Sequence, residues 1–75
     1  MPMLPRLSGR ETVRAFESLG WEVVRQKGSH IILIKVGHMA TLSVPNHKEV
    51  ARGTLRSLIR SAGLTVSEFI DALKD

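Results

Sequence analysis

The sequence predicts an α+β fold in the order helix, three strands, helix, short helix, with a three-stranded antiparallel sheet and its helices packed on one face. Three observations predict it. Ser8 with Glu11, and Thr65 with Glu68, each make the Ser/Thr-x-x-Glu pattern that opens a helix. Residues 21–44 change to β-branched segments broken by Gly28-Ser29 and Gly37-His38. Leu55, Leu58, Ile59 and Ala62 then return to helical spacing.

The first helix should run from about Gly9 to Leu19, burying Val13, Phe16 and Leu19, with Gly20 as the left-handed residue that stops it. Strands follow over Trp21–Lys27, His30–Val36 and Met39–Val44, joined by two tight hairpins. Two-residue turns would pair Lys27 with His30, Arg25 with Ile32, Val36 with Met39 and Ile32 with Ser43. Pro45 ends the third strand, and a helix begins somewhere between Lys48 and Gly53 and closes at Gly63. The last helix starts at the Thr65–Glu68 box, with Leu64 stapled to Phe69, and buries Val66, Phe69, Ile70 and Leu73.

That register divides the sheet. One face carries Val24, Ile31, Leu33, Ala40, Leu42 and Val44, with Glu22, Gln26 and Lys35 as its polar members, and is expected under the helices. The other face has Lys27, Arg25, His30 and Ser43 at one end and Trp21, Val23, Ile34, Val36 and Met39 at the other. An uncovered apolar patch of that kind is an interaction surface. A slip of one residue would exchange the faces.

Seventy-five residues make one small domain, expected over 1–75. The absence of cysteine excludes disulfides, thiolate catalysis and sulfur-ligated metals. The longest strictly apolar run, Ile31–Ile34, is far too short to cross a bilayer, so no membrane association is expected. The Met1-Pro2-Met3-Leu4-Pro5 start lacks the features of a signal peptide, and a cytoplasmic protein is expected. A net charge of +4 favours a polyanionic partner. The charge is localised, with ten basic and four acidic side chains in residues 1–60 against one and three in residues 61–75. Lys48, Arg52, Arg56 and Arg60 recur every four residues, a ridge that either follows phosphates or is a solvated helix face.

Histidine both takes and gives a proton near neutrality. His30 follows Lys27-Gly28-Ser29 at a tight turn, so Lys27 stands across from it and brings a cation that attracts phosphate. These features suit RNA strand cleavage: a base removes the 2′-hydroxyl proton, the oxygen attacks the adjacent phosphorus, and cations stabilise the anionic transition state. His38 lies in the second turn and is expected to be solvated, whereas His47 is placed either to cap a carbonyl or to reach a phosphate. The three histidines, eight and nine residues apart, fit no familiar zinc pattern. No metal and no small-molecule cofactor is expected.

Gly28-Ser29-His30, Val44-Pro45-Asn46-His47, and Gly53-Thr54-Leu55-Arg56-Ser57-Leu58-Ile59-Arg60 followed by Ala62-Gly63-Leu64 and Glu68-Phe69 together resemble the HicA (YcfA-like) toxin family. The resemblance spans about Leu7 to Leu73. It implies a fold like that of double-stranded-RNA-binding domains, α-β-β-β-α, and an mRNA interferase silenced by a HicB-type antitoxin. It also implies that His30, the histidine of the Gly-Ser-His motif, is the catalytic residue. One departure is the wholly apolar Ile31–Ile34, where many relatives carry further His, Arg or aromatic residues.

The expected site is therefore His30 as general base or acid, with Lys27, Ser29, His47, Lys48, Arg52, Arg56 and Arg60 contacting RNA. The antitoxin is expected to cover Trp21, Ile34 and Val36 and to screen His30 sterically. The alternative is a non-catalytic double-stranded RNA binder using the same basic helix. A DNA-binding helix-turn-helix is disfavoured by Glu68, Asp71 and Asp75 on the would-be recognition helix.

Overall fold

Ser8 and Glu11 close the capping box that their spacing predicts: the Glu11 N–H donates to Ser8 Oγ at 3.1 Å, and the Ser8 N–H donates to the Glu11 carboxylate at 2.9 Å. The computed structural model describes residues 3–74, so Met1 and Pro2 of the amino-terminal segment, and Asp75, lie outside the described residues. From this cap, helix α1 spans Gly9–Ser18. It is followed by strands β1 (Glu22–Lys27), β2 (His30–Ile34) and β3 (Leu42–Pro45), then α2 (Arg52–Ser61) and α3 (Val66–Ala72). Thr65 and Glu68 form the second box, at the start of α3. The sheet is antiparallel in the order β1-β2-β3, and α1 and α2 both pack against β3 while α3 packs against both helices. This is the α-β-β-β-α order with an extra carboxy-terminal helix.

Phe16 and Phe69 are fully buried at the centre of the core, with ring centroids 5.1 Å apart. Leu33, Leu42, Val44, Leu55 and Ile59 complete the layer between sheet and helices. Each such side chain contributes roughly 1.5–3 kcal/mol by leaving water. The core also takes in Leu4, Leu7 and Val50, from segments that have no periodicity to announce them. The Val50 N–H donates to the Leu7 carbonyl at 2.7 Å and ties those segments together.

The first hairpin keeps its expected register, Lys27 opposite His30 and Arg25 opposite Ile32, with Gly28 at φ +60 supplying the turn conformation that side chains rarely adopt. A β-bulge between Val23 and Arg25 then inserts one residue into β1. Such an insertion exchanges the faces beyond it. Val23 comes to lie opposite buried Leu33, and Glu22 opposite Ile34. Trp21, expected on the open face as a partner-binding residue, is instead 2% exposed and packed edge-on to Phe16. Val24, expected under the helices, is 48% exposed.

The second hairpin is looser than its two-residue expectation. Ile32 does pair with Ser43, but the ladder stops at Leu33–Leu42, and Val36 and Met39 lie in the connecting loop. His38, expected to be solvated, is partly buried. Its ring lies 5.0 Å from that of Trp21, and its Nδ1 accepts the Ala40 N–H at 3.3 Å. No helix among the described residues is long and apolar enough to cross a membrane.

Candidate functional site

The turn after β1 and the end of β3 meet at one end of the sheet. His30 is the first residue of β2 and stands between Lys27 on one side and Pro45 on the other. Beyond the paired residues, the Asn46 N–H donates to the Ser29 carbonyl at 2.6 Å, and the Gly9 N–H donates to the His47 carbonyl at 2.9 Å. The Gly-Ser-His and Val-Pro-Asn-His segments are thus joined by a backbone hydrogen bond, and the second of them is pinned to the start of α1. Gly9 permits this approach. A β-carbon there would fall on the Pro45 carbonyl oxygen and 2.8 Å from Asn46 Cα.

His30 is exposed, and its Nδ1 lies 3.2 Å from Ser43 Oγ. An exposed imidazole with one nitrogen engaged and the other free is able to exchange a proton with a bound molecule. Lys27, Ser29 and His47 are also exposed at this end. The backbone of His47 does the anchoring, and its ring is left to solvent.

Lys48 departs from the expected ridge. It lies in the irregular segment before α2, which starts only at Arg52 because Ala51 takes the extended N-cap position with no side-chain hydrogen bond. Arg52, Arg56 and Arg60 do share an exposed side of α2. Arg60 is about 12 Å along the axis from Arg52. The helix runs away from the His30 end, since Gly63, just beyond it, approaches His38 at the opposite end of the sheet. Of the ridge, Arg52 is therefore the member nearest the site along α2.

Arg10 and Arg14 were not singled out from the sequence. With Val13, Val23, Gln26 and Asn46 they border a shallow groove of about 240 Å³ between α1 and β1 that opens at the same end of the fold. Their signal was spacing: residues 10 and 14 lie one helical turn apart on the exposed side of α1. Ile34 and Val36 are 40% and 91% exposed and lie at the other end of the sheet.

The family described as HicA toxin of bacterial toxin-antitoxin matches residues 9–64, a stretch that includes both motifs and all of α2. Among solved structures, the chain is similar to a chain of a toxin-antitoxin complex from Streptococcus pneumoniae, with 32% sequence identity and a TM-score of 0.69. That similarity covers 77% of this chain and 98% of that chain. No curated protein matches the sequence.

Proposed function

The chain belongs to the HicA toxin family of toxin-antitoxin modules, and from that premise we propose that it is a metal-independent endoribonuclease, an mRNA interferase acting in the cytoplasm. The observation that carries the reading is the exposed His30 ring, held at Nδ1 by Ser43 and paired across the turn with Lys27. His30 Nε2 removes the 2′-hydroxyl proton, the freed oxygen attacks the adjacent phosphorus, and the bond to the 5′-oxygen breaks as that oxygen takes a proton. Lys27 offsets the charge that builds on the phosphoryl oxygens. Ser29, His47, Lys48, Arg52, Arg56 and Arg60 contact the RNA backbone. Every exchanged proton can pass through the imidazole, so the chemistry calls for no metal.

A HicB-type antitoxin is the proposed partner. It covers Ile34 and Val36 and extends over the open face to screen His30, so that inhibition is steric. The exposed apolar side chains at that end, Met39 at 102% among them, support this reading.

The test is cleavage of a defined RNA in the presence of a chelator by the purified chain and its His30→Ala variant. The variant should lose about 10²- to 10⁴-fold in rate while keeping its fold, since His30 is exposed. Equal cleavage by both proteins would remove the role assigned to His30. The alternative of a non-catalytic double-stranded RNA binder predicts no cleavage by either, with RNA affinity abolished by charge reversal at Arg52 and Arg56.

A further inference from the structure

His30 and Ser43 are diagonal neighbours on the open face of the sheet. His30 is paired with Pro45 and Ser43 with Ile32, so the two side chains stand on one face, two residues apart along β3, within reach of each other. Ser43 is flanked by the buried Leu42 and Val44, whose packing fixes the strand that carries it. The hydroxyl therefore reaches the imidazole from a strand that core packing holds on both sides of it.

We propose that Ser43 is a positioning residue that accepts the His30 Nδ1–H and so leaves Nε2 unprotonated and outward in the resting enzyme. The proposal rests on the reading of His30 as the catalytic residue. A neutral imidazole carries one N–H, and an acceptor at Nδ1 keeps the proton there. When Nε2 takes a proton from the substrate, Nδ1 still carries its own, and the same hydrogen bond persists in the imidazolium. Ser43 thus serves both halves of the proton cycle without moving, and its own hydroxyl proton turns to solvent. A carboxylate in its place would favour the charged ring and hold back the proton that the 5′-oxygen requires.

The experiment uses the full chain labelled with ¹⁵N at histidine. Ring ¹H–¹⁵N correlation spectra report the His30 tautomer, and kcat and KM are measured on a defined RNA oligonucleotide. The parent should show the Nδ1–H form. Ser43→Ala should shift His30 toward the Nε2–H form and lower kcat about fivefold, with KM within about twofold. Ser43→Thr, which keeps a hydroxyl at a strand position, should restore both. An unchanged tautomer in Ser43→Ala, or a Thr variant as impaired as Ala, overturns the proposal. A His30→Ala control that cleaves as well as the parent would instead remove the functional reading, while the ring spectra still decide whether Ser43 holds the imidazole.

Discussion

At the end of the sheet that carries His30, backbone atoms are tied across three chain segments, whereas at the opposite end the ladder opens into a loop. Ser29 is bonded to Asn46, Gly9 to His47, and Leu7 to Val50, so turn, strand end and helix start form one unit. Past Leu33 and Leu42 the connecting loop is held mainly by the His38 N–H to the Lys35 carbonyl at 3.0 Å and by the His38 ring against Trp21. The tied end holds the backbone that carries Ser29, His30 and His47 in fixed relation, the preorganisation that the proposed chemistry calls for. The open end leaves Val36 and Met39 in water, a cost that a binding partner would recover.

The contrast breaks first at Gly9. Gly9→Ala drives a methyl into backbone of the Pro45–Asn46 segment, and neither atom it meets is a flexible side-chain tip. A loss of about 1–3 kcal/mol is expected, read as a lower urea midpoint, together with impaired RNA cleavage. An unchanged midpoint would mean that the tied end yields easily. Next comes Ser8→Ala, which removes the cap at the start of α1 and should cost about 1 kcal/mol.

The acid limb of stability gives a smaller effect. The Glu11 carboxyl is held below the usual carboxylate range chiefly by the Ser8 backbone N–H, then by the Ser8 side chain and by Arg14. A lowered folded value means that the stabilisation is complete above the unfolded value, about pH 4.3, and is lost as pH falls through the folded one. The Tm gap between the parent and Glu11→Gln should therefore narrow in acid, and a gap that widened there would contradict the cap geometry. The smallest effect on stability belongs to the open end, where Val36→Asp with Met39→Asp should stay within about 0.5 kcal/mol of the parent. Titration with the antitoxin should nevertheless show weakened binding by the double variant, and unaltered affinity would move the proposed interface elsewhere.

The local signals were legible in the sequence. Both capping boxes, the Lys27–His30 turn and the Ile32–Ser43 pairing depend on residues within a few positions or on hairpin register. Trp21 and His38 depart from their expected places because the bulge adds one residue to β1, which no alternation of apolar and polar positions in Trp-Glu-Val-Val-Arg-Gln-Lys announces. Beyond the bulge, Trp21 turns inward and gives His38 an aromatic surface to rest on. The sequence does not mark the start of α2, because Ala51 offers no capping oxygen, and the four-residue spacing of Lys48 and Arg52 therefore extends beyond the helix. At the site, His30 and Ser43 were grouped on one face at one end, but the bond between them depends on the diagonal geometry of a folded sheet.

The same irregularity falls on an open border of the sheet. β1 is an outer strand with all six residues exposed, and a straight strand of this kind would offer its free backbone groups to the next chain as a template. The extra residue kinks that border, and Glu22, Arg25 and Lys27 line it with charge. Shortening β1 by the one inserted valine would straighten the pleat and improve pairing within the sheet, at the expense of solubility, because uninterrupted borders of neighbouring molecules would then fit together.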